Sequence, residues 1–505
     1  MPVLSAVSLF SPTHFVLFTC CPRHERACAR VRDKKGNTSL MYRTARHSAS
    51  QAGLILVVVM LSVFAFALLQ SLINPVLPQL QAELHTTQSM ITWVVTAFLL
   101  SAAVFTPILG RLGDRYGKDR MLVLALVALA VGSLVSALAT GISVMIVGRA
   151  IQGIGGSVMP LVFGIIRDEL PRERVPGAIG LASALIAVGG GVGLLLSGPL
   201  VNWLGLRSLF WIPFAVTAGA ALAAMVVIPA SPSRNSGPIS WISAVLLAGG
   251  LLALLVPLTQ GAKWGWGSGK VIGSLIVAAV LLAAWAVSES RSASPLVDMR
   301  IMRIPAVWTG NLVSMLLGMG LFSVFGFLPA FLQSPSAGGY GFDASATEAG
   351  LFLLPMTLTM FFSGLLAVRI TRRIGARTVL IASAALITAS LTLLALEHGE
   401  AWQVVLAMAL LGLGFGSATS TLSNVIVAAV PPEQTGIANG VNANVRTIGG
   451  AVGAALMGGI ISTQLSATGL PTDDGYTYGF GALTLAAVGA VLASLLIPRA
   501  RAATA

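Results

Sequence analysis

The sequence predicts an all-helical membrane protein with fourteen spans, and three observations carry that prediction. Of its 505 residues, 56% are hydrophobic and only 9% are charged, with a mean hydropathy of +0.89, whereas soluble domains are about 45–50% apolar. Apolar runs long enough to cross a bilayer, roughly 20 residues each, recur from residue 53 to the end. The basic residues, finally, fall almost entirely in alternate loops.

The runs lie in order near 53–72, 90–109, 121–139, 142–166, 178–201, 209–229 and 241–258. The series continues near 271–287, 307–332, 349–368, 378–396, 401–428, 437–461 and 479–497. Backbone polar groups find no water in hydrocarbon, so segments of this length satisfy themselves as helices. A β-barrel would need short alternating segments, and the sequence has none. Of the 30 Lys and Arg, 25 fall on one side once the loops are assigned alternately. Arg207, Lys263 and Lys270 fall on the other side, and Arg149 and Arg446 fall inside helices. Basic excess marks the cytoplasmic side, so both termini are expected there. The net charge of +13 is thus a matter of orientation, and nucleic acid is not an expected partner.

Residues 1–50 differ from the rest. They hold all three cysteines (Cys20, Cys21, Cys28) and read as a basic, disordered tail. A Cys21-x2-His24-x3-Cys28 spacing with Cys20 beside it could hold zinc; the disordered tail is the plainer reading, and no metal is expected. No positive region precedes the apolar patch and no small-residue cleavage site follows it, which argues against a signal peptide. Translation is expected to start at Met41, ahead of an ordinary basic leader. The membrane body has no cysteine for a disulfide.

The expected organisation is a tail at 1–50, a six-helix bundle at 51–230, two additional helices with a linker at 231–306, a second bundle at 307–498 and a short tail at 499–505. A faint repeat supports two halves: "DRYGKDR" at 114–120 is echoed by "RRIGART" at 372–378. In both, a basic residue stands two before a glycine (Arg115 and Gly117, Arg373 and Gly375), as parallel repeats require. The loops are short, leaving no room for a catalytic domain, so neither an enzyme nor a cofactor is expected.

"GRLGDRYGKDR" at 110–120 resembles the signature between helices 2 and 3 of the major facilitator superfamily. "RAIQGIGGS" at 149–157 is similar to that superfamily's helix 4 motif, R-x-x-Q-G-x-G. "GYGFDASATEAGLFLLP" and "NGVNANVRTIGGAVGAAL" resemble the helix 9–10 loop and helix 13 of its fourteen-helix drug:proton antiporter branch. The resemblance covers about residues 50–498. It implies the major-facilitator fold, two six-helix bundles plus two central helices, and a secondary transporter working by alternating access. It also implies that Gly110, Asp114, Arg115, Gly117 and Arg120 latch the two bundles on the cytoplasmic side. From the residues alone, Asp114 can accept from a neighbouring helix's N–H groups or pair with Arg115 or Arg120.

Two departures matter. In helix 5 of the family's antiporters a G-x-x-x-G-P-x-x-G-G motif is expected, but Leu194 replaces its proline and Ser197 the next glycine. In helix 1, "LLQSLINPVLP" aligns through Asn74 and Pro78 and puts Leu69 where the branch commonly carries an aspartate. All 17 Asp and Glu lie in loops, at helix ends or in the tail. Glu348, at the mouth of helix 10, and Asp114 remain as coupling candidates, with protons as the coupling ion or a substrate that brings its own charge. Intramembrane arginines default to functional or paired groups. Arg149, Gln152, Gln70, Asn74, Asn442 and Arg446 are therefore the expected polar wall of a cavity between helices 1, 4, 5, 9, 10 and 13. Arg149 could instead bond helix carbonyls, and Arg446 could belong to a packing network with Asn442 and Asn444. Gly189 and Gly193, like Gly449 and Gly453, read as small-residue pairs for close helix packing.

The expected function is export of an amphipathic neutral or anionic small molecule by a monomer in the bacterial plasma membrane. Uptake of an organic anion, or a scaffold or sensor that no longer transports, are the alternatives.

Overall fold

The computed structural model describes residues 16–19, 28–32, 38–42, 49–171, 173–230, 240–292, 295, 297–336, 340–431, 434–464 and 471–498. Residues 1–54 and 55–505 form two separate units. In the first, strands β1 (Val16–Thr19), β2 (Cys28–Arg32) and β3 (Thr38–Tyr42) pair antiparallel in that order, in a segment where the sequence leads one to expect no order. Cys20, Cys21 and His24 lie outside the described residues.

Among the described residues, fourteen helices are long and apolar enough to cross a membrane. In the first half they are α1 (Ala49–Ser71), α2 (Gln88–Tyr116), α3 (Lys118–Ala137), α4 (Ile142–Glu169), α5 (Val175–Leu204), α6 (Ser208–Val227), α7 (Trp241–Trp264) and α8 (Gly269–Arg291). The second half holds α9 (Pro305–Gln333), α10 (Ala346–Ile374), α11 (Ala376–Leu396), α12 (Ala401–Ala429), α13 (Thr435–Thr463) and α14 (Asp473–Ser494). Alternate connections between these helices carry most of the Lys and Arg, and the side they mark is called the basic face below.

The two halves repeat one pairing scheme. α2 packs on α4, α3 on α4 and α3 on α6; α10 packs on α12, α11 on α12 and α11 on α14. The glycine pairs act as spacing suggests. A Cβ on Gly189 would lie 2.9 Å from Phe64 O, and one on Gly193 2.9 Å from Leu68 O, so α5 packs backbone to backbone on α1. A Cβ on Gly449 would lie 2.0 Å from Met315 O, and one on Gly453 2.4 Å from Met319 O, which is the same relation between α13 and α9. Across the halves, α5 packs on α10 and α2 on α13, while α7 touches both α2 and α13.

The faint repeat has a backbone counterpart. α2 runs seven residues past its expected end, through Asp114 to Tyr116, so the charge cluster is helical and the turn to α3 is Gly117 alone. Its φ is 107°, and Gly375, the single link between α10 and α11, has φ 85°. Both lie in the left-handed region that costs a side chain dearly. Helix 4 departs more: a 3₁₀ turn at Gly155–Ser157 breaks it. Here a Cβ on Gly153 would lie 2.5 Å from Phe98 O and one on Gly155 2.2 Å from Leu129 Cγ. The glycines of "RAIQGIGGS" are what let α4 wedge between α2 and α3.

Candidate functional site

A cavity of about 210 Å³ lies between the halves, walled by α1, α2, α4 and α5 on one side and α9, α10, α12 and α13 on the other. Its wall is aromatic (Phe66, Phe98, Phe163, Phe322, Phe325) with Met159, Met356 and Met360. Gln70, Asn439, Asn442, Asn444 and Arg446 supply its amide and charged groups, and among the described residues no Asp, Glu, His or Lys lines it. Ser183 Oγ, also on the wall, is buried and has no hydrogen-bond partner among the described residues.

Of the residues singled out from sequence, Gln70, Asn442 and Arg446 line this cavity. Asn74 opens a 3₁₀ turn after α1; its side chain lies outside the described residues. Arg149 and Gln152 correct the expectation, for neither lines the cavity. Arg149 is 2% exposed; its Nε donates to Val94 O at 2.9 Å and its Nη1 to Gln152 Oε1 at 2.6 Å. Gln152 Nε2 passes the chain on to Ser133 Oγ at 2.9 Å. These groups satisfy one another inside the first bundle, with the Arg149 guanidinium 4.6 Å from the Phe98 ring centre. The charge therefore backs a wall residue. Arg149→Gln is expected to lower thermal stability more than substrate affinity; melting and binding curves on the same variant check it.

Arg446 is placed differently. It is partly exposed to the cavity, and its guanidinium makes no hydrogen bond or ion pair among the described residues. Its backbone is clamped, since a Cβ on Gly318 of α9 would lie 2.2 Å from Arg446 O. One turn before it, Asn442 Nδ2 donates to Asn311 Oδ1 at 2.9 Å and Ser314 Oγ at 2.8 Å. Asn444 Nδ2 donates across the halves to Ala103 O at 2.7 Å.

From that bond toward the basic face, α2 and α13 stay together. A Cβ on Gly440 would lie 3.4 Å from Thr106 Cγ2, and one on Gly110 3.8 Å from Gly436 C. Asp114 is 5% exposed, and its Oδ1 would be 3.9 Å from a Cβ on Gly436, in the first turn of α13. Beside it stands Lys118, whose Nζ lies 3.8 Å from Asp114 Oδ1 and 2.8 Å from Asp168 Oδ2. Helical spacing decides this, because i and i+4 share a face whereas i+1 does not. Arg115 instead lies 5.1 Å from the Tyr116 ring centre, and Arg120 is exposed. A Cβ on Gly164 would meet Lys118 Cδ at 2.7 Å, so that glycine makes room for the buried lysine.

One residue escaped the sequence reading. Arg167, in the last turn of α4, donates to Val427 O at 2.6 Å and Val430 O at 3.1 Å, and to Thr435 Oγ1. It caps the carbonyl end of α12 and the start of α13 at once, a favourable place for a cation. Its sequence signal was only a basic residue ending a helix. Glu348 turns out to be exposed and to cap its own helix: Oε2 accepts from Ser345 N at 2.7 Å, and Ser345 Oγ accepts from Glu348 N at 3.2 Å. That capping box is a local structural task.

A family model described as Major Facilitator Superfamily matches residues 59–454 and 311–505. The chain is 27% identical over 416 residues to the tetracenomycin C resistance and export protein of Streptomyces glaucescens, covering 81% of this chain and 76% of that one. It is 27% identical over 421 residues to the multidrug resistance protein Stp of Mycobacterium tuberculosis, covering 82% and 77%. Against the multidrug transporter protein MdtP of Bacillus subtilis the identity is 24% over 421 residues, covering 82% and 76%. Among solved structures, the human organic anion transporter MFSD10 (TETRAN) superposes with a TM-score of 0.63 at 16% identity, covering 88% of this chain and 99% of that one. At that identity the likeness concerns the fold.

Proposed function

Because this chain belongs to the Major Facilitator Superfamily, we propose that it exports amphipathic neutral or anionic small molecules across a bacterial plasma membrane by alternating access. The observation that carries the substrate class is the cavity wall, which among the described residues has five phenylalanines, three methionines and one cation, Arg446, with no carboxylate. A lipophilic cation would find no opposite charge there, whereas an anion would relieve an arginine that costs about 3 kcal/mol at the centre of a membrane helix. Direction is supported by the printed functions of relatives, one an export protein and two multidrug proteins. Orientation is supported by the Lys and Arg excess on the basic face, which puts both termini in the cytoplasm.

On this reading the contacts from Asn444 down to Asp114 and Arg167 close the cavity toward the cytoplasm. Substrate release and rebinding then drive the bundle equilibrium, through different affinities for its two states. Cells with and without the protein are compared for accumulation of labelled neutral, anionic and cationic amphiphiles. Lower accumulation of the neutral and anionic members is expected. Higher accumulation would make the protein an uptake system, and no difference for any compound would make it a scaffold or sensor.

A further inference from the structure

On the face opposite the basic one, a buried histidine joins three segments of the second bundle. His398, between α11 and α12, is 8% exposed. Its Nδ1 lies 2.6 Å from Leu394 O in the last turn of α11, and its Nε2 2.7 Å from Asp473 Oδ1 at the start of α14. The Phe331 ring stands edge-on to the imidazole at 5.1 Å and also packs on Tyr340 and Tyr476. Tyr340 in turn donates its hydroxyl to Pro471 O.

Both ring nitrogens face acceptors. A carbonyl oxygen only accepts, so Nδ1 carries a hydrogen. A neutral ring would then turn the lone pair of Nε2 toward a carboxylate oxygen 2.7 Å away, which is repulsive. The Asp473 side chain is 51% exposed, and a ring carrying both hydrogens would donate to its carboxylate through Nε2. The surroundings favour it. The carbonyl end of α11 attracts a cation, and segments 321–345, 391–403 and 471–480 contain five acids and no Lys or Arg. Those acids are Asp343, Glu397, Glu400, Asp473 and Asp474. Ser336 donates to Asp343 through its N–H and hydroxyl and holds that carboxyl below the usual carboxylate range. Glu397 accepts from Gln403, and Glu400 caps α12. Tyr340 and Tyr476 complete the titratable groups around the ring.

We propose that His398 and Asp473 form a proton-binding site on this face, the proton fastening the end of α11 to the start of α14, against which the loop leading into α10 packs through Tyr340. That loop ends where α10 meets α5: a Cβ on Gly198 would lie 2.8 Å from Thr347 Oγ1, and one on Gly350 3.5 Å from Leu194 O. Proton uptake from the solution on this face would reach that contact between the bundles through the loop, and among the described residues no histidine or carboxylate lines the cavity. The site stands whatever the substrate is.

The test is the melting temperature of the purified full chain, with His398→Gln and Asp473→Asn, from about pH 6 to about pH 9. The native pair binds a proton that a separated neutral histidine and carboxylate do not, so its stabilisation is present at low pH and is lost as pH rises. Wild type is expected to melt several degrees above both variants at the acid end, with the gap closing at the alkaline end. A gap that does not change with pH overturns the proposal. Should the variants fail to fold, a chain with His14, His24, His47 and His85 replaced leaves one ring for nitrogen NMR. At about pH 7.5, where a free histidine is mostly neutral, protons on both nitrogens support the site and a single proton overturns it.

Discussion

Arg446→Gln is expected to weaken binding of an anionic amphiphile by about 10- to 100-fold, while a neutral analogue of the same shape binds nearly as before. The guanidinium has no protein partner among the described residues and faces a cavity without a carboxylate, so a bound anion gains a charge-assisted bond that displaces little. Arg446→Lys should keep part of the affinity, because the charge remains while the planar fork is lost. Folding of both variants is protected by the origin of the local packing. α13 is held to α9 through the backbone contacts at Gly318, Gly449 and Gly453, not through the guanidinium. Equilibrium binding of the anionic and neutral probes to purified variants decides the matter. Equal affinity of wild type and Arg446→Gln for the anion would move the anion seat elsewhere.

Lys118→Met carries the largest expected loss of stability. The ammonium stands between Asp114 and Asp168, all three side chains at most 6% exposed. Methionine fills much of the space that Gly164 leaves but removes a cation that two buried carboxylates share. Breaking a buried ion pair from one side costs about 3–5 kcal/mol. Asp114→Asn is milder, since an amide still offers an oxygen and Lys118 keeps Asp168; its effect should fall on transport, through the start of α13. Thermal melting of the purified proteins, with transport in cells, separates the two. Losing one positive charge out of a large excess should not invert the topology, which accessibility labelling of the loops checks. A Lys118→Met protein as stable as wild type would mean that the other contacts of the two carboxylates suffice to hold them.

The helices were legible because apolar run length is a one-dimensional signal, and all fourteen are present. Their ends were less so. "GRLGDRY" looks like a loop by charge, yet α2 runs through it, with Asp114 buried beside Lys118 and Arg115 lying over the Tyr116 ring. The repeat was legible only as a basic residue before a glycine; what makes Gly117 and Gly375 equivalent is their positive φ at single-residue turns.

Composition and spacing by themselves determined the class of protein, the number of spans, which loops carry the positive charge, and which glycines lie at helix contacts. These depend on what surrounds each segment, lipid or water, or on contacts repeated every helical turn. Which charges meet was decided only by the tertiary structure. Arg149 and Arg446 are the same residue type in the same setting by sequence. One is satisfied by Val94 and Gln152 inside a bundle, and the other is turned into the cavity between bundles. Arg167 bonds to carbonyls some 260 positions away, and His398 to a carboxylate 75 positions away. A side chain's partner is set by the rotation and depth of two packed helices, and no local pattern encodes that for residues so far apart along the chain.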